Sequence, residues 1–126
     1  MNTEFAKLLL TNGSKVNSYN KKPTDTPLYY VAINGDIVIV EMLVNRGANI
    51  NAENQYGITP LHDAVKSKKM EISELLLKKR ACGNATNICN ITPLHLAVET
   101  GSEDIIKLLL KHGAYGMLWF WYLWSL

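Results

Sequence analysis

The triplets Thr26-Pro27-Leu28, Thr59-Pro60-Leu61 and Thr92-Pro93-Leu94 recur at a fixed interval of 33 residues. Self-similarity at such a period marks a stack of like units rather than one closed core. Each triplet opens the same layout, Thr26 to Ala32, Thr59 to Val65 and Thr92 to Val98, with Leu and then Ala or Val on one face. Thr suits an N-cap because its hydroxyl accepts from the orphan amides of a first turn. Pro fits just inside, where its missing N–H would have had no partner. A first helix of about two turns is therefore expected in each unit. Asn34-Gly35 and Thr100-Gly101 end it in the outer copies, whereas the middle copy offers Ser67-Lys68-Lys69, a weaker stop and a more strained turn.

Second helices are expected from Ile37 to Asn45, Met70 to Lys79 and Glu103 to Lys111, with Ile39/Ile72/Ile105, Leu43/Leu76/Leu109 and Val44/Leu77/Leu110 in equivalent places. They read as apolar on more than one side, as suits a helix held between neighbours. Gly47-Ala48 and Gly113-Ala114 come next, Gly supplying the left-handed residue that ends a helix. Arg80-Ala81 stands there in the middle copy, and a non-Gly residue at positive φ costs on the order of 1 kcal/mol. Between units, stretches such as Ala48 to Ile58 are rich in Asn and Gly and read as turns with short extended arms. A two-helix unit with a projecting turn cannot bury its own apolar faces, so stacking is required.

With Thr-Pro-Leu-His-x-Ala, a Gly several residues on, Ile-x-x-x-Leu-Leu and then Gly-Ala, residues 3 to 116 resemble the ankyrin repeat. The resemblance implies an all-α solenoid of helix-turn-helix units joined by short β-hairpin-like loops. It further implies a concave surface formed by first helices and hairpin tips, and protein binding rather than catalysis. The expected divisions are 1–22, an incomplete first repeat of second helix and loop; 23–55, 56–88 and 89–116, full repeats; and 117–126, an apolar aromatic tail. Phe5, Leu8, Leu9 and Leu10 before Gly13 and Val16-Asn17 carry the half repeat, and one extra residue falls between Ser18 and Asp25. Both ends read as cuts through a longer array.

The tail, Met117 to Leu126, holds every Trp of the chain. It falls short of the ~20 apolar residues of a membrane span, and Lys111-His112-Gly113 prevents extension backwards. It reads as a makeshift cap over the last unit, as an adhesive segment for a partner or membrane surface, or as a terminus generated by alternative processing.

A net charge of +2 is too small to argue a nucleic-acid partner. The basic residues of the middle unit, Lys66, Lys68, Lys69, Lys78, Lys79 and Arg80 against Asp63, Glu71 and Glu74, read as a solvated face and helix-end cations, with an acidic or phosphate-bearing partner as the sharper alternative. Cys82 and Cys89 lack a CxxC pair or a matching His, so neither zinc nor a disulfide framework is expected. Glu4 and Lys7 interrupt the early apolar run that a secretory leader would need. Reduced thiols and an intracellular location, cytoplasmic or nuclear, follow as expectations. No Gly-rich phosphate loop, paired carboxylates or nucleophile motif is present, so no catalytic residue, metal ligand or cofactor is expected. His62 and His95 stand one repeat apart, and the resemblance makes them scaffold, bonding neighbouring hairpins and helices.

Specificity in such an array resides where the copies differ. Carrying over the family's contact positions gives Ile33, Asn34, Gln55, Tyr56, Ile58, Lys66, Ser67, Ile88, Cys89, Ile91, Glu99 and Thr100. Tyr56 with Ile58, Ile88 and Ile91 would form an apolar anchor on adjacent tips; the alternative packs Ile88 and Ile91 under neighbouring hairpins. The expected function is a non-enzymatic module that binds a protein or peptide. The alternative is a shortened product of a longer ankyrin protein, acting by self-association through uncapped ends or by competition.

Overall fold

The computed structural model describes residues 36–114 together with Leu28, Val31 and Ala32. Within that range run five helices: α1 (Ile37–Asn45), α2 (Pro60–Lys66), α3 (Met70–Lys78), α4 (Pro93–Thr100) and α5 (Glu103–Lys111). No strand occurs among the described residues. The N-terminal half repeat, the Ser18 to Asp25 insertion, the Asn34-Gly35 stop and the aromatic tail lie outside them.

The Thr-Pro openings act as their chemistry requires. Thr59 and Thr92 are extended N-caps whose hydroxyls accept from the amides of His62 (3.3 Å) and His95 (3.2 Å). Each imidazole reaches back, its Nδ1 accepting from the Thr59 amide at 3.2 Å or the Thr92 amide at 3.1 Å. Histidine thus fills the place in this reciprocal cap where Glu or Gln is usual. Asp36 caps α1 through Oδ1, which accepts from Val38 (3.1 Å) and Ile39 (3.3 Å). Lys69 and Ser102, which precede α3 and α5, provide no side-chain cap.

The helix ends share one geometry in which an amide reaches back five residues: Ala48 to the Leu43 carbonyl, Ala81 to Leu76 and Ala114 to Leu109, at 3.0, 2.8 and 2.9 Å. That closure needs a left-handed residue just before it. Gly47 (φ 90) and Gly113 (φ 87) supply it in the outer copies, and Arg80 adopts it at φ 71 in the middle one. First helices end the same way, with Gly101 at φ 71 and Lys68 at φ 58. The middle repeat therefore carries two strained joints where its neighbour has glycine, as the sequence indicated.

A three-residue connection folds α3 back on α2, and the two-residue Gly101-Ser102 link folds α5 back on α4. Between units α2 packs on α4, α1 on α3 and α3 on α5. Leu28, Leu61 and Leu94 are buried in one layer, and Ile39, Leu76 and Leu109 in another. Full burial of such a side chain contributes about 2 kcal/mol. The second helices are less enclosed than expected. Helix α5 buries Ile105, Leu108 and Leu109 but turns Glu103, Asp104, Lys107 and Lys111 to water, so it carries one apolar stripe with a solvated back. Lys79 caps α3 rather than belonging to it.

Candidate protein-binding surface

Two loops, 48–58 and 81–91, project between the helical layers and are built alike. Asn54 Oδ1 accepts from the amides of Tyr56 (2.8 Å) and Ile58 (3.0 Å), while the Asn54 amide donates to the Ile58 carbonyl at 3.0 Å. Asn87 repeats this one period on, accepting from Cys89 (2.8 Å) and Ile91 (3.1 Å) and donating to the Ile91 carbonyl at 3.1 Å. A short amide side chain that mimics a backbone turn is the usual use of Asn at such a bend. The left-handed residue of each turn is Gly57 (φ 74) and Asn90 (φ 61), Asn being the non-Gly residue that tolerates this region best.

The loops are fastened to each other and to the helices. The Ile88 amide donates to the Tyr56 carbonyl at 3.0 Å, joining the tips. Nearer the base, Asn51 Oδ1 accepts from the Cys82 amide at 2.8 Å, and Asn84 Nδ2 donates to the Gly113 carbonyl at 3.4 Å. His62 Nε2 lies 2.9 Å from the Ile91 carbonyl oxygen. A carbonyl only accepts, so Nε2 bears the proton while Nδ1 receives the Thr59 amide. Burial lowers the His62 pKa from its ordinary value, partly offset by the Ile91 carbonyl, which keeps the ring neutral near pH 7. This residue is scaffold, as the resemblance implied.

The surface candidates divide by exposure. Tyr56 is 51 % and Ile88 68 % exposed; Gln55 and Cys89 are exposed beside them, and Lys66, Ser67 and Glu99 at the first helices. Ile58 and Ile91 are half-buried, so the two expectations for the tip isoleucines split: Ile88 faces water and Ile91 is tucked in. The Thr100 hydroxyl donates to the Ala97 carbonyl at 3.2 Å and lies 3.0 Å from Ser102 Oγ, an arrangement that serves the helix end. Ile33 and Asn34 lie outside the described residues. Asn51, Asn54 and Asn87, which shape the tips, were not singled out from sequence. Their signal was present, since Asn51/Asn84 and Asn54/Asn87 also recur at 33 residues.

Among the described residues no His, Cys, Asp and Glu side chains gather in a metal-holding group, and Cys82 and Cys89 are exposed free thiols. No helix there is long and apolar enough to cross a membrane.

Stacked helical hairpins with bonded, projecting tips define a repeat solenoid. The family model for ankyrin repeats in three copies matches residues 1–87, and the single ankyrin-repeat model matches residues 89–115. This chain belongs to the ankyrin-repeat family. It is similar to a putative ankyrin repeat protein of Rickettsia bellii, 49 % identical over 34 % of this chain and 18 % of that one. A second similarity is to the putative ankyrin repeat protein FPV031 of Fowlpox virus, 37 % identical over 49 % of this chain and 18 % of that one. A third is to the palmitoyltransferase ZDHHC17 of Danio rerio, 35 % identical over 50 % of this chain and 10 % of that one. The chain thus spans less than a fifth of each of these relatives. Ankyrin repeats generally mediate protein–protein interaction and are typically non-enzymatic.

Proposed function

We propose that the chain is a non-enzymatic interaction module that takes a protein segment against its loop tips and first helices, with Tyr56 and Ile88 as the anchor. The observation that supports this is the bond between Ile88 N–H and Tyr56 C=O. It joins the backbones of two residues with exposed side chains on successive loops, and it satisfies backbone groups that would otherwise be desolvated on binding. A rigid tyrosine beside an aliphatic group, ringed by polar neighbours such as Gln55, matches the composition of binding hot spots. Lys66 and Glu99 on the first helices carry opposite charges and set orientation more than affinity.

The test is affinity capture with the intact chain and with a Tyr56→Ala, Ile88→Ala double variant. Both residues are exposed, so far-UV circular dichroism and thermal midpoint should stay unchanged while the captured partner is lost. Undiminished capture by the double variant places the contact surface elsewhere.

A further inference from the structure

Each second helix ends in an exposed three-residue corner, 45–47, 78–80 and 111–113. These corners hold Arg46, Lys78, Lys79, Arg80, Lys111 and His112, and no Asp or Glu. Stacking sets them side by side, because α1 packs on α3 and α3 on α5. Beside the corners the Cys82 amide donates to Asn51 Oδ1, and Asn84 Nδ2 donates to the Gly113 carbonyl. A line of cations therefore crosses the helix ends, stepping about 10 Å per unit. Lys78 Nζ lies 3.2 Å from Glu74 Oε1, whereas Lys79, Arg80 and Lys111 have no ion pair among the described residues. The helix macrodipole accounts for part of the line, since a cation beside the last carbonyls opposes its negative end. It does not account for Arg80, which stands beyond the α3 cap at φ 71, where Gly47 and Gly113 take φ 90 and φ 87 in the flanking units. A side chain there is held against the preference of its backbone, and strain of this kind gathers at functional sites.

We infer that this edge is a second interaction surface, set at the helix ends rather than at the loop tips, and that it takes an extended acidic segment of a partner protein. The opposite charge stands at the other ends of the same helices. Glu71 on α3, and Glu103 and Asp104 on α5, are exposed, about 10 Å back along the axis at 1.5 Å per residue. An anionic body broad enough to cover the helices would meet those carboxylates as well as the cations. A single extended strand laid across the helix ends meets the cations alone. In the polyproline II conformation, which solvated chains favour, three residues make one turn and advance about 9 Å. Carboxylates three residues apart thus lie on one side of such a segment, at nearly the spacing of successive corners. Charge pairing of this sort orients a partner and speeds its encounter, and it responds to salt.

The test is fluorescence anisotropy of a labelled twelve-residue peptide bearing Glu at every third position, titrated with the intact chain. Binding should weaken about tenfold between roughly 0.05 M and 0.5 M salt and be absent for the Gln counterpart of the peptide. Lys79→Glu with Arg80→Glu should weaken it about tenfold, and Lys68→Glu with Lys69→Glu no more than about twofold. The two double variants change the charge of one repeat equally, and each replaces a residue at positive φ, Arg80 or Lys68, so place alone separates them. Arg80→Gly relaxes the backbone, so it should raise the thermal midpoint and still weaken binding about threefold. Absence of salt-sensitive binding overturns the assignment of the edge, as do equal losses in the two double variants and undiminished binding by Arg80→Gly. Tighter binding of a single-stranded oligonucleotide or of phosphatidylserine vesicles than of the peptide, lost in the Lys79 and Arg80 variant, overturns the acidic protein segment as the occupant.

Discussion

His62 Nε2 and the carbonyl oxygen of Ile91 stand 2.9 Å apart across 29 residues of sequence, so the side chain that caps one repeat also fastens the hairpin leading to the next. Its counterpart His95 makes the same local cap to Thr92. Among the described residues no hairpin lies beyond it. One residue type at one repeat position thus performs two tasks inside the stack and one at its described edge.

Stability should fall on mild acidification. Burial lowers the pKa of His62 and, to a lesser degree of enclosure, His95, so the unfolded chain takes up protons at a higher pH than the folded one. The stabilisation is complete above the ordinary histidine value of about 6.5 and is lost as pH falls below it toward the folded values. Urea midpoints at pH 7.5 and 5.5 should show this decline. His62→Gln should reduce the decline and cost about 2 kcal/mol at the higher pH, since a buried bond is disturbed.

Arg80→Gly should stabilise the protein by about 0.5–1 kcal/mol, the relief of left-handed strain exceeding the entropy that glycine adds to the unfolded chain. Lys68→Gly should act in the same direction. Gly113→Ala imposes that strain where the outer repeat avoids it and should destabilise by about 1 kcal/mol. Denaturant midpoints of the three variants give the comparison.

Gly57→Ala should cost more than Gly47→Ala, although both glycines have positive φ. A Cβ at Gly47 meets nothing within 4 Å, whereas at Gly57 it would lie 3.0 Å from Asn87 Cα and 3.3 Å from the Ile88 amide nitrogen. Those atoms are backbone and belong to the link between the tips. A difference of about 1–2 kcal/mol is expected, with faster hydrogen exchange at the Ile88 amide in the first variant only.

Asn54→Ala and Asn87→Ala should each loosen one tip at a cost of about 1–2 kcal/mol, because two amides per turn lose their acceptor. Asn54→Ala should speed exchange at Tyr56 and Ile58, and Asn87→Ala at Cys89 and Ile91. Helical content should persist in both. Equal protection in variant and parent would mean that the turn holds without the side chain.

Much of this architecture was legible because it is local. The Thr-Pro period places α2 and α4, and α1 and α5 have the bounds that their apolar registers gave. Met70 to Lys79 is one residue too long only because Lys79 sits at the cap. The strained joints were readable at Lys68 and Arg80, since glycine in the sister copies shows what the backbone demands there. The long-range bonds were not, because Tyr56 with Ile88 and His62 with Ile91 meet only after stacking. The contrast between exposed Ile88 and half-buried Ile91 has the same origin: the residues are alike in type and differ in what the neighbouring loop covers. The polar back of α5 was visible in Glu103, Asp104, Lys107 and Lys111, and the shared apolar triplets outweighed it.

The bond from Ile88 to Tyr56 also bears on time. Tips already locked together need no slow rearrangement on encounter, so association should proceed at the ordinary diffusional rate for a preformed surface, and substitutions at the anchor should show themselves chiefly in how long a complex lasts.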